Sequence, residues 1–164
     1  MTEPNKPKRS TYERALDMLE ARSRAVAELR RLLIRKGEPE ADVDAAIERL
    51  RTNGLLDDAD FARQLTRSKA LGAGLSRRRI QQELSKRGVA RDVSDHAIEQ
   101  VFDEEGVDEE ASIERVARKK LRMLTNTDDA TRKRRLYNFL ARRGYDNDDI
   151  QRVLRDLLRA APPE

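Results

Sequence analysis

LSKRGVARDVSDHAIEQV, residues 84–101, runs from a leucine through a basic pair and a glycine into an amphipathic stretch. The same order stands in LIRKGEPEADVDAAIERL (residues 33–50) and in LARRGYDNDDIQRVLRDL (residues 140–157). Aligned on Gly37, Gly88 and Gly144, the copies lie 51 and 56 residues apart. Four residues before each glycine stands Leu33, Leu84 or Leu140, and eight before stands Leu29, Ile80 or Leu136. Those positions share one helix face. The two preceding residues are basic in every copy: Arg35–Lys36, Lys86–Arg87 and Arg142–Arg143. Cations complement the negative end of a helix, and glycine takes the left-handed cap conformation cheaply. Each unit therefore holds a helix that ends at its glycine.

A second helix follows each glycine. Its apolar face is marked by Ile47, Ile98 and Leu154, then by Leu50, Val101 and Leu157. Asp42, Asp92 and Asn147 are the expected N-caps. A third helix precedes the other two: TYERALDMLEA, DDADFARQLTRSKAL and EEASIERVARKKLRML. Asp57 or Asp58 is expected to cap the second of these. The links to the middle helices differ in length, with Ser23, Ser76 and Thr127 as capping candidates. Differing links account for the unequal spacing.

No segment alternates with strand periodicity. The expected fold class is all-α: three tandem three-helix repeats stacked into an elongated curved array. The expected boundaries are a disordered tail at 1–11, repeats at 12–54, 55–106 and 107–158, and a second tail at 159–164. Composition suits this. Charged residues are 40% of the 164 and aromatics only 4%, too little apolar bulk for one thick core. Such a composition also fits disorder, but the periodic leucines oppose that reading.

There is no cysteine, hence no disulfide framework or thiolate metal site. No apolar run approaches the roughly 20 residues that span a bilayer. The basic first residues lack the apolar stretch of a secretory signal. A cytoplasmic protein without membrane contact is expected, and a monomer.

The single histidine, His96, has no second histidine to complete a site. GAG at residues 72–74 lacks the Lys-Ser/Thr of a phosphate loop. Acidic clusters at 57–60, 103–105, 128–129 and 146–149 have the right chemistry for magnesium. Most of them stand where helices begin, where carboxylates act as caps. No catalytic, cofactor or metal residue is assigned, and an enzyme is not expected.

The basic residues are more informative. The middle helices carry arginines, while acidic residues gather in the helices after the glycines. Stacking would turn this into a basic stripe with an acidic back, the footprint of a polyanion-binding array. Solvated helix faces with i,i+4 pairs are the plainer alternative. Runs such as RRR at 77–79 and RKRR at 132–135 favour binding. Arg67, Lys69, Arg77, Arg78, Arg79 and Arg87 are the leading contact candidates, followed by Arg31, Arg35, Arg118, Lys119 and Arg132.

Three ordered motifs resemble the RecX family of regulatory proteins. ALDMLEARSRAVAELRRLLIRKG is similar to its opening signature. LLDDADFARQLTRSKALGAGLSRRRIQQELSKRGV is similar to its central one, through Leu56, Asp57, Asp58, Phe61, Ala62, Arg67, Gly74, Ile80, Leu84, Lys86 and Gly88. YNFLARRGYDNDDIQRVL resembles the closing pattern, with Tyr145 where the family often has Phe. The likeness spans residues 12 to 158. It implies tandem three-helix units and a regulator of the RecA recombinase. On that reading the chain docks non-covalently in the groove of the RecA filament and inhibits its ATPase, coprotease and recombinase activities. Single- or double-stranded DNA is a further partner class. A general basic DNA-binding module acting on DNA directly is the alternative.

Overall fold

The computed structural model describes residues 9–159, all of whose regular structure is helical. Unit one comprises α1 (Thr11–Ala21), α2 (Val26–Arg35) and α3 (Glu40–Thr52). Unit two comprises α4 (Asp58–Arg67), a π turn (Ser68–Ala73), α5 (Arg77–Lys86) and α6 (Arg91–Glu104). Unit three comprises α7 (Glu109–Arg122), α8 (Asp129–Arg142) and α9 (Asn147–Arg159). The expected all-α tandem array is what folds. Thr11 and Arg159, assigned to tails from sequence, are the first and last helical residues. The remaining tail residues, 1–8 and 160–164, lie outside the described residues.

Each unit closes its own small core. All twelve apolar positions that align across the three copies are buried: Leu29, Ile80 and Leu136, for example, expose none of their surface. One cluster joins Ala15, Leu29, Leu33, Val43, Ile47, Leu50 and Leu56. A second is built around Phe61, Ile80, Leu84, Ile98 and Phe102. A third is built around Ile113, Leu136, Leu140, Ile150 and Leu154. Leu56, in the link between α3 and α4, packs in the first cluster. Burial of such a side chain contributes about 1.5–3 kcal/mol.

Helix ends follow local chemistry. Ser10 and Glu13 form a capping box on α1. Ser76 accepts from the Arg79 amide, and Asp128 from the Thr131 amide. Asp42 and Asp92 are not N-caps: Pro39 and Ala90 hold those positions, and the two aspartates lie in the first turns. There their charge still meets the positive helix end. Asn147 likewise opens α9, behind Asp146, whose carboxylate accepts from the Asp149 amide. Ser23 and Thr127 do not cap, because the helices begin after Ala25 and Asp128. Gly37, Gly88 and Gly144 have φ of 87°, 81° and 90°. The Glu38 amide reaches the Leu33 carbonyl and the Val89 amide the Leu84 carbonyl, each at 3.2 Å, as in a Schellman end.

The units are joined by a repeated device. The N-cap of α2 is Ala25, which has no capping side chain. Its exposed Val26 N–H is met instead by the carboxylate of Asp58, from the first residue of α4, at 2.8 Å. At the next joint the Arg77 N–H donates to Glu109, the first residue of α7, also at 2.8 Å. The residue just before each does the local capping: Asp57 accepts from Ala59, and Asp108 from Glu110. Thus each acidic pair serves two helices, its own and the middle helix of the preceding unit.

The second glycine and the third also approach the preceding unit. A Cβ on Gly88 would lie 2.6 Å from Ala27 Cβ, and one on Gly144 would lie 2.4 Å from Ser76 Oγ and 2.5 Å from Arg79 Cβ. Gly37, with no unit before it, faces open space. The joint between units two and three carries further bonds. Ser76 N–H donates to the Arg143 carbonyl at 3.0 Å, and Arg143 Nε to the Ala73 carbonyl at 3.1 Å. Tyr145 Oη donates to the Gly74 carbonyl at 2.8 Å. The π turn therefore presents its last carbonyls to unit three.

Candidate functional site

The eleven cations chosen from sequence fall into two groups. Eight are engaged within the chain. Arg67 pairs with Glu105 at 2.6 Å and with Glu104 at 3.5 Å. Arg77 pairs with Glu109 and lies 4.1 Å over the Phe102 ring. Arg78 donates across the joint to the Gly144 and Tyr145 carbonyls, at 3.1 and 3.4 Å. Arg79 and Arg87 share Glu83, at 3.2 and 3.1 Å. Arg31 donates to the Lys86 carbonyl of the next unit at 3.2 Å. Arg118 pairs with Glu114, and Arg132 with Asp129. The side chains of Lys69, Arg35 and Lys119 take no part in the hydrogen bonds and ion pairs described among residues 9–159.

The RRR run at 77–79 is therefore a joint before it is anything else. The Arg77 and Arg78 guanidinium groups close α5 onto its neighbours, while that of Arg79 pairs within α5 with Glu83. The sequence could not distinguish Arg77 and Arg78 from solvent-facing arginines, because their partners lie 32 and 66 to 67 residues away. One signal was present: Ser76 and the arginines open a helix, where cations are unfavourable unless something negative arrives from outside. Glu109 and the unit-three carbonyls are that negative surface.

Acidic residues resolve in the same way. Asp57, Asp128 and Asp146 accept backbone N–H bonds at helix starts. These bonds hold the Asp128 and Asp146 carboxyls below the usual aspartate range. Glu104 and Glu105 serve Arg67. Among the described residues no group of three or more His, Cys, Asp and Glu is placed to hold a metal ion. His96 is exposed, in an open depression with Asp92, Arg63 and Gln100. No described helix is long and apolar enough to cross a membrane.

The aromatic residues of unit three carry cations. Arg143 lies 3.7 Å and Lys120 5.3 Å from the Phe139 ring centre. Tyr137 and Phe139 pack on the edge of the third cluster, as core and boundary residues.

What these features define is a tandem array of small three-helix units with a densely charged surface. The family comparisons agree unit by unit. Residues 12–50 match the first three-helix domain of RecX, 57–98 the second and 108–154 the third. The regulatory protein RecX of Mycobacterium marinum (strain ATCC BAA-535 / M) is 42% identical over 147 residues, covering 86% of this chain and 82% of that protein. That of Amycolatopsis mediterranei (strain U-32) is 36% identical, covering 95% and 87%. The crystal structure of RecX from Lactobacillus salivarius superposes with a TM-score of 0.67 at 19% identity, covering 91% of this chain and 95% of that one. The likeness to that structure concerns the fold. The chain belongs to the RecX family of regulatory proteins.

Proposed function

We propose that the chain binds the RecA nucleoprotein filament and inhibits its ATPase, coprotease and recombinase activities by non-covalent docking in the filament groove. Membership of a regulatory family supports the reading, and the joint geometry carries it. Three units linked only to their neighbours make a rod whose repeat can follow a polymer's repeat. Bridging adjacent protomers would hold the filament in a state that cannot cycle. On this reading the protein acts by binding, as a monomer in the cytoplasm, with no cofactor.

The contact residues proposed are those above, with their roles divided. Lys69, Arg35 and Lys119 have charge to offer a partner. Arg118 and Arg67 sit in exposed ion pairs worth about 0–1 kcal/mol, which a better carboxylate or phosphate can displace. Arg31, Arg77, Arg78, Arg79, Arg87 and Arg132 keep their internal partners and shape the docking face.

Co-sedimentation of the protein with RecA filaments, against naked DNA at matched salt, tests this. Preferential recovery with filaments is expected. Equal recovery with naked DNA, with a steep salt dependence, would favour direct DNA binding instead.

A further inference from the structure

The charge of this chain is not evenly spread. Residues 115–145 hold eleven of its 35 basic residues and two of its 31 acidic ones. The other 133 residues carry 24 basic and 29 acidic groups, a net negative balance. The whole cationic excess therefore resides in α7 and α8 of unit three.

Pairing sharpens the contrast. In units one and two, most arginines close ion pairs or donate to carbonyls within the chain. In unit three, Lys119, Arg122, Lys133, Arg134, Arg135 and Arg142 are exposed, with no carboxylate partner among the described residues. Helix-end complementarity accounts for Lys119, Arg122 and Arg142, which lie in or next to last turns. It does not account for Lys133 to Arg135, in the first half of α8.

The Phe139 ring ties the two helices together. Lys120 of α7 and Arg143 at the end of α8 both lie on it. Arg135 and Arg142, four residues before and three after Phe139, share its side of α8. Lys119 and Arg122, three residues apart, share another side of α7. The two helices thus make a cationic surface on which Lys119, Arg122, Lys133, Arg134, Arg135 and Arg142 are exposed.

We infer that this α7–α8 face of unit three binds the phosphate backbone of nucleic acid. The inference rests on the filament reading, since it names the part of a nucleoprotein that unit three meets. Phosphate fits better than acidic protein for two reasons. A protein interface needs a cluster of apolar or aromatic anchors at its centre, and here Met123 is the only large apolar side chain well exposed among the described residues of the unit. Phe139 is already covered by its cations, so the face reads charge and not bases.

The test uses the full-length protein and a fluorescent 30-base-pair duplex without RecA, titrated at several salt concentrations. The triple variant K119E/R135E/R142E is compared with the charge-matched K36E/R51E/K86E. The first should bind at least tenfold more weakly, and its log–log salt slope should shrink by about 2–3. The second should lose less than threefold. Circular dichroism melts of both establish folding. Equal losses, or unchanged duplex affinity in the unit-three triple, would overturn the inference. Loss of filament binding with duplex affinity intact would also overturn it, in favour of an acidic protein surface. Failure of the wild-type protein to inhibit RecA would instead defeat the functional reading and leave the duplex result standing.

Discussion

Asp58 Oδ1 accepts the backbone N–H of Val26 at 2.8 Å, so the first residue of α4 caps a helix in another unit. Glu109 does the same for Arg77. Removing an N-cap costs about 1 kcal/mol. Asp58→Ala should lower stability by that amount and speed hydrogen exchange at the Val26 amide, while Asp57→Ala should speed exchange at Ala59 and Asp60. Identical exchange maps for the two variants would contradict the division of labour.

The three aligned glycines should not be equivalent. All need positive φ, so alanine costs roughly 1–2 kcal/mol at each. Only Gly88 and Gly144 also touch the preceding unit. Urea unfolding should therefore rank Gly37→Ala as the mildest of the three. A Gly144→Ala protein as stable as Gly37→Ala would show that the third joint yields freely.

Tyr145 is buried, and desolvation followed by the Glu109 charge pushes its phenol up to about 12, against smaller opposing effects of Arg115 and Arg143. A raised pKa stabilises the fold fully below the unfolded value of about 10 and loses that contribution as pH climbs toward 12. The phenolate absorbance of the native protein should contain a late step near pH 12 that is missing in Tyr145→Phe. That variant also leaves the Gly74 carbonyl without its donor, for a loss of about 1 kcal/mol.

Arg77→Ala, Arg78→Ala and Arg79→Ala combined should weaken the joint between units two and three by roughly 2 kcal/mol, from the two charge-assisted Arg78 carbonyl bonds, and should loosen α5 from α6 through loss of the Arg77–Phe102 contact. Thermal melting reads this directly. A variant with unchanged melting and lost RecA binding would return these arginines to the partner face.

Much of this fold was legible because it is local. Leu33, Leu84 and Leu140 report helix period, and their glycines report helix ends. The joints were not legible, because Asp58 and Glu109 look like ordinary first-turn acids until the neighbouring helix arrives at their carboxylates. The same blindness applied to Arg78, whose carbonyl partners lie 66 and 67 residues ahead. Exposure and pairing, which decide whether an arginine is available to a partner, are properties of stacked units and not of one helix.

The proposed inhibition of RecA works by binding alone. Its most direct test is the DNA-dependent ATPase rate of the cognate RecA, titrated with this protein below one copy per RecA protomer. A progressive fall in rate well before equivalence is the predicted result. A rate unchanged across the titration would contradict it.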